Sequence, residues 1–445
     1  MSHAHRVLRA TFLAILASLL GSAALHSPAA FAQADPALAA APSYSVGINV
    51  KAPSLGMTPA RGNGLADDTA ALQAEIQYCQ DHNVPLLLPS GVYKITAPLH
   101  IAIPPSVQTD KFVPIQSGIV IRGMTNHAVQ PDAPTGVTIL MAGAHQDCLI
   151  QIGGAASYHM VISDVSLDGG PPGLGTKHAL HALYTRWSGL RLDNVQTTNV
   201  DTALAISGTP PGHTGTGGNG EYLNAYNCFI GARRCCYQNF SDSGQAYLHR
   251  FVSCAFGTSQ PGGTAFEIGN SNGGCQCDFF GTSLTMAPGD ARSPSYRPNV
   301  FLHDFGTNDP LNWWGGRAEN VNTLIQWNGG GPGLTGRVNI EGMAFTINSG
   351  KGSLLFGGGT NCQYAFCVRS CYLSNYGKPA PIGFIYGGGG FERITFDDCD
   401  FTGWSDMTAL TDSPRTILRS CRYTIGADPF FHDLVHRQVP AKAQH

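Results

Sequence analysis

Apolar and polar residues alternate along most of this chain, in short runs closed by Gly, Asn, Asp or Ser. A period of two with that punctuation predicts strands and turns rather than helices. The stretch "RITFDDCDF" at 393–401 defines a template: apolar, any, apolar, any, polar, Val or Cys, any, apolar. Centred on its Val/Cys position, the template recurs at Val165, Val195, Cys228, Cys254, Cys277, Phe305, Met343, Cys371, Cys399 and Cys421. The intervals run from 22 to 38 residues and average about 28, a period that signals a solenoid, propeller or array. A second short strand precedes most copies, as in "CLIQIGG", "HALYTRWSG", "TALAISG", "TAFEIGN" and "TLIQWNG". Two or three strands per repeat with uneven loops predict an all-β chain, a parallel β-helix of about ten coils. Propeller blades usually need about 40 residues or more, which fits less well.

Stacking has consequences for the Val/Cys position. Successive coils lie roughly 4.8 Å apart, so this side chain points inward and meets its counterpart in the next coil. Cys228, Cys254 and Cys277 would form one file, and Cys371, Cys399 and Cys421 another. A free cysteine packs as a small hydrophobe; disulfides between adjacent coils are the alternative. A file of sulfurs does not converge on a point, which argues against zinc. The residues one before each position are Asp164, Asn194, Asn227, Ser253, Gln276, Asp304, Gly342, Ser370, Asp398 and Ser420. They suit a turn between strands, because such side chains bond nearby backbone.

At the N-terminus, Arg6 and Arg9 precede a short apolar run, and Ala30-Phe31-Ala32 supplies a cleavage signal. Residues 1–32 therefore read as a secretory signal peptide. A linker at 33–44, a β-helix domain over 45–426 with its cap at 45–100, and a tail at 427–445 complete the expected organisation. The protein is expected to be secreted or periplasmic, without a membrane anchor after cleavage. Charged residues are only 12% and the net charge is −3, which excludes a basic nucleic-acid face. The 55 glycines disfavour long helices. Thirteen cysteines are an odd number, so at least one thiol has no intrachain disulfide partner.

The segment "GNGLADDTAALQAEIQYCQDHNVPLLLPSGVYKIT", Gly62 to Thr96, resembles the N-terminal signature of the pectin-lyase-like right-handed β-helix proteins. That group includes polysaccharide lyases, polygalacturonase-related glycoside hydrolases and phage tailspikes. The resemblance implies a right-handed parallel β-helix with a short N-terminal capping helix. Asp67 or Asp68 would cap that helix, and Leu72 and Ile76 would form its apolar face. The resemblance is strong for fold and weak for activity. Polygalacturonase relatives carry Asn-Thr-Asp, Asp-Asp, Gly-His-Gly and Arg-Ile-Lys in order; here only Asp397-Asp398 occurs. The aspartate cluster of calcium-dependent lyases is not recognisable. No cofactor and no metal site is expected, calcium being the one ion the resemblance leaves open.

Candidate chemistry lies on the outward side chains. Two residues before their template positions stand His303, Glu341, Arg369, Asp397 and Arg419, and Arg191 and Arg250 sit four before theirs. In register, they form either a solvated row of salt bridges, each worth ~0–1 kcal/mol, or a polysaccharide groove. Glu341 and Asp397 would be two coils apart, roughly 9–10 Å, against the ~6.5–9.5 Å of inverting glycosidases. Arg369 between them favours both as carboxylates, which suits a base better than an acid.

A second set sits in the 38-residue interval, "GTNDPLNWWGGRAENVN". It holds Asp309, Trp313, Trp314, Arg317 and Glu319 in what reads as an oversized connection. Indole faces stack on sugars or fill a core gap, arginine forks hold carboxylates, and Glu319 is the preferred single catalytic carboxylate. A lyase would need a base and a cation. Lys177, His178, His181, Tyr184 and Arg186 in "KHALHALYTR", with His303 and Arg250, are options. Loops at 210–220 and 286–299 could wall a cleft. The expected function is cleavage of a polysaccharide by hydrolysis or elimination. The alternatives are a non-catalytic carbohydrate-binding β-helix and a polysaccharide C5-epimerase. The partner is a polysaccharide or oligosaccharide, with monomer and trimer equally open.

Overall fold

The computed structural model describes residues 47–434 except 54–55, 102–117, 125–135, 154–156, 183–186, 207–219, 241–247, 270–274, 289–298, 306–308, 328–335, 349–352, 359–364, 377–379, 388–392, 413–414 and 426–431. The chain divides between Val46 and Gly47, and the second unit is described below. The signal peptide, the linker, Tyr184 and Arg186 lie outside the described residues, as do nearly all of both loops and of the tail.

Among the described residues the strands form two sheets of 26 and 10 strands, parallel except where His432–Leu434 runs antiparallel to Cys421–Ile425. The smaller sheet stacks one strand per coil, running Leu99–Ile101, Cys148–Ile152, His178–Ala182, Thr202–Ile206, Cys235–Asn239, Thr264–Ile268, Val300–Asp304, Thr323–Trp327, Ser353–Gly358 and Gly383–Gly387. Seven of these ten are the short strands expected ahead of the template; Leu99–Ile101, Cys235–Asn239 and Val300–Asp304 are not. The larger sheet holds the template strands, which pair rung on rung. Leu192, Ala225, Phe251, Phe279, Trp313, Ile340, Val368, Phe396 and Leu418 follow one another in register. All but Leu418 are buried. This is a parallel β-helix whose core is the inside of the coil.

Between the two halves of each template the backbone turns through one left-handed residue. Asp164, Asn194, Asn227, Ser253, Gly281, Gly315, Gly342, Ser370, Asp398 and Ser420 all have φ between 48° and 67°. Asn and Asp tolerate that region because their side chains bond locally. Asn194 Nδ2 donates to Asp164 Oδ1 on the rung before, at 3.0 Å. Asp398 is thus a turn residue, as its spacing predicts.

Gly281 and Gly315 replace Gln276 and Asp304 in this series, which corrects two template positions. Thr282 and Gly316 occupy the inward position, not Cys277 and Phe305. Cys277 pairs with His249 and Leu311, four residues upstream of the turn position. "VFLHD" belongs to the smaller sheet, which has the same period of two and so imitates the template. With the corrected positions the largest interval is 34 residues, and the oversized connection becomes an ordinary rung, the strand Pro310–Val321.

The remaining cysteine files stand. Cys228 and Cys254 form one and Cys371, Cys399 and Cys421 the other, all buried and free. Each thiol lies within reach of the carbonyl two residues before it, at 3.3 Å for Cys228, 3.5 Å for Cys254, 3.0 Å for Cys371, 3.4 Å for Cys399 and 3.3 Å for Cys421. Cysteine fits because it fills a small apolar space and offers a weak second donor to carbonyls, such as those of Tyr226, Val252, Asp397 and Arg419, that already accept the turn N–H of the rung before.

The helix Thr69–His82 buries Leu72, Glu75, Ile76 and Cys79. The expected cap takes a different form. The Asp68 carboxylate turns back to accept the backbone N–H of Arg61 at 2.7 Å and Gly62 at 2.9 Å. Asp67 instead accepts the N–H of Thr69 at 3.0 Å and the hydroxyl of Thr96 at 2.7 Å. Its contacts, led by the Thr69 hydroxyl, hold its pKa below the usual value.

At Gly316, φ is 107° and an added Cβ would stand 1.8 Å from the Thr282 carbonyl oxygen on the rung before. Gly316→Ala is expected to cost about 2–4 kcal/mol, as overpacking against backbone. A lower midpoint in urea checks this, with Gly281→Ala, whose Cβ meets nothing within 4 Å, as the milder comparison.

Candidate functional site

Strand parity sends alternate template residues outward, and register aligns them across coils. Two residues before the inward position the row reads Ser163, Asp193, Tyr226, Val252, Phe280, Trp314, Glu341, Arg369, Asp397 and Arg419. Glu341, Arg369, Asp397 and Arg419 are therefore successive, as expected. His303 is not in this row. It lies in the smaller sheet between Glu267 and Gln326, with its ring 3.9 Å from that of Phe305. Trp314 takes its place beside Glu341.

The two tryptophans point opposite ways because they are neighbours on one strand. Trp313 is fully buried and stacks on Phe279 with ring centres 4.6 Å apart and planes 1° apart. It is a core residue, and its candidacy as a sugar contact is withdrawn. Trp314 is half-buried and stacks outward on the exposed Phe280 at 4.6 Å and 13°. Phe280 escapes the sequence reading because Cys277 is taken for the turn-associated residue. A glycine in the turn position, already present at Gly342, is the signal that finds it.

Beside this aromatic pair lies a cleft of about 230 Å³, lined by Asn312, Trp314, Arg337, Asn339, Glu341, Cys367 and Arg369, with Ile340. Three adjacent strands build it: Pro310–Val321, Arg337–Asn348 and Ala365–Arg369. Arg369 directly opposes Glu341 across the pair, and Asn312, Asn339 and Cys367 align one row over. That second row is wired by hydrogen bonds. Asn339 Nδ2 donates to Asn312 Oδ1 at 2.7 Å, and Asn312 Nδ2 to Asp278 Oδ1 at 2.8 Å. Asp278 then meets Arg250 at 3.8 Å. Arg250 thus stands two rungs before Asn312 in the cleft's own row. The row of salt bridges expected along Glu341, Arg369 and Asp397 does not close. Among the described residues none of the three, nor Arg337, forms an ion pair. Glu341, Arg337 and Arg369 are exposed, so their charges face whatever enters the cleft.

The other candidates lie elsewhere. Arg317 and Glu319 follow the turn at Gly315, on the neighbouring segment, and pair with each other at 3.3 Å. Glu319 Oε2 also accepts Thr285 Oγ1 at 3.3 Å. They do not line the cleft, and an exposed pair of this kind is worth little. Asp309 shares the inward parity of Leu311 and Trp313, and burial raises its pKa. His178 and His181 lie in the smaller sheet and meet Asp147, at 4.0 Å and 2.6 Å.

No protein-family model matches this sequence, and no curated protein is similar to it. Solved structures are similar in fold. A tailspike of an Acinetobacter phage has a TM-score of 0.50 at 8% identity, over 85% of this chain and 63% of its own. The ORF18 protein of Geobacillus virus E2 has a TM-score of 0.49 at 16% identity, over 80% and 61%. The endo-xylogalacturonan hydrolase of Aspergillus tubingensis has a TM-score of 0.48 at 10% identity, over 83% and 99%. The chain spans less than two thirds of the length of the two viral proteins. What is shared at such identities is architecture. The chain has a parallel β-helix fold.

Proposed function

We propose that this protein is exported and cleaves an acidic polysaccharide in the Trp314–Glu341–Arg369 cleft. The observation that carries this reading is one exposed carboxylate, Glu341, flanked by two unpaired arginines and an outward aromatic stack on the same wall. The Phe280–Trp314 stack offers a flat apolar surface to the C–H face of a sugar ring. Arg337 and Arg369 suit a uronate carboxylate, which a guanidinium holds as a bidentate partner. Asn312 and Asn339, fixed by their ladder, orient hydroxyl groups. Export rests on the Arg6–Ala32 segment; no helix among the described residues is long and apolar enough to cross a membrane.

Elimination fits these groups best. Glu341 removes the proton from the carbon bearing the uronate carboxylate, and an arginine stabilises the enolate-like charge. The electron pair then forms the double bond as the bond to the leaving glycosidic oxygen breaks, and that oxygen takes a proton from water. A second reading, inverting hydrolysis, is favoured by Asp397 standing two rungs from Glu341, roughly 9–10 Å away. A panel of acidic and neutral polysaccharides tests both. Elimination leaves an ultraviolet-absorbing unsaturated end, whereas hydrolysis leaves only a new reducing end. Glu341→Gln is expected to lower turnover by about 10²–10⁴-fold with binding retained. Binding without product from any sugar would make the chain a carbohydrate-binding scaffold; sugar inversion without cleavage would make it an epimerase. Absence of binding across the panel would remove the proposal.

A further inference from the structure

The smaller sheet carries a second cluster that shares no residue with the cleft. Asp147 immediately precedes the strand Cys148–Ile152, and His178 opens the strand His178–Ala182. These strands pair in parallel, His178 opposite Cys148 and His181 opposite Gln151. The His178 N–H donates to the Asp147 carbonyl at 2.9 Å. The three residues are thus held at one corner of two adjacent rungs by the ladder itself, not by a loop.

Their side chains converge. Asp147 Oδ2 lies 2.6 Å from His181 Nδ1, and Oδ1 lies 4.0 Å from His178 Nε2. The two rings are centred 4.8 Å apart, and one donor atom from each residue falls within 4.8 Å of the others. Donors bonded to a tetrahedral ion at ~2.0–2.1 Å stand about 3.3 Å from one another. Small side-chain rotations bring the observed separations, one shorter and one longer, to that value. The histidine side chains are 14% and 11% exposed, and that of Asp147 is 45% exposed. The imidazoles form the floor and the carboxylate the mouth.

We propose that Asp147, His178 and His181 bind a divalent transition-metal ion of the zinc class. Two imidazole nitrogens and one carboxylate oxygen match that class, whereas calcium and magnesium take oxygen ligands. Three protein ligands and an accessible side leave a coordination position for water or a substrate oxygen, the arrangement of reactive rather than structural zinc sites. Asp201, a further carboxylate that acts on His178, is occupied by Arg233 at 2.9 Å, so among the described residues the ligand set ends with these three. The sequence reading takes His178 and His181 only as a base or a cation, because Asp147 lies 31 and 34 positions away.

The test uses the full chain, stripped with a chelator and titrated with Zn²⁺ by calorimetry. One ion per chain is expected at micromolar affinity or tighter, with a rise in thermal midpoint that grows with free Zn²⁺. Asp147→Asn and His181→Gln are expected to weaken binding at least 30-fold and to abolish that rise. Asp147 is half exposed, so its variant keeps the metal-free midpoint and reports on the site alone. Co²⁺ is expected to give a ligand-field spectrum without a thiolate charge-transfer band, and Cys367→Ser to bind as before. Three results would each overturn the proposal: no stoichiometric ion, uptake undiminished in the Asp147 and His181 variants, or a thiolate band with Co²⁺.

Discussion

Trp313→Ala is expected to lose about 3–5 kcal/mol of folding stability, while Trp314→Ala, one residue on, loses under about 1 kcal/mol. The first removes one of the largest fully buried side chains, together with Trp327 and Trp404. Trp313 stacks on Phe279, which stacks on Phe251 at 4.8 Å, and Phe266 and Phe301 meet the indole edge-on or tilted, at 5.5 and 5.4 Å. Truncation leaves a cavity that rungs tied by backbone hydrogen bonds on both sides cannot collapse to fill, which is why large aromatic deletions fall at the upper end of core costs. Trp314 stands outside on Phe280 and fills no interior space. Its deletion is expected instead to weaken polysaccharide binding by about 10-fold or more, since an aromatic stack contributes ~1 kcal/mol or more. Denaturation midpoints and affinity measured on the same two proteins check both halves. Equal stability losses would mean that the parity assigned to this strand is wrong.

The second large effect is a pH dependence of stability located at Glu75. The carboxyl is fully buried beneath the helix, and neither oxygen has a hydrogen-bond partner. Burial raises its pKa from 4.5 to about 8. Between those values the folded state holds a proton that the unfolded chain has released. Stability therefore falls as pH rises, by ~1.4 kcal/mol per unit, and levels off above about 8. From pH 5 to pH 8 the loss is about 4 kcal/mol. Glu75→Met, close in volume and without a charge to bury, is expected to remove this slope and to raise the thermal midpoint at pH 8. Parallel pH profiles for the two proteins would refute it. An acid here conflicts with its local role of covering apolar core, beside Leu72, Ile76 and Cys79.

Much of the architecture is legible along the chain. The alternation of "RITFDDCDF", the polar residue before each inward position and the file of small side chains all follow from one strand–turn–strand unit, and that unit recurs where expected at eight of its ten positions. The two failures have different causes. "VFLHD" alternates with period two, and alternation does not say which sheet a strand joins; "CDFFGTSL" joins the expected sheet but in another phase. Local pattern tells which residues share a face, but it does not say which face is inward when a glycine takes the turn.

What the amino-acid order determined by itself was parity and period: strands of alternating side chains, turns at Asp164, Asn194 or Asp398, and files of small inward residues behind them. Only the folded coil decided phase, because loops of different length separate the rungs and the hydrogen bonds of the parallel ladder choose which residues align. That choice sent Trp313 inward and Trp314 outward, moved His303 to the other sheet, and left Glu341 opposite Arg369. It also brought Asp147 to His178 across one rung, a meeting that only interstrand pairing creates.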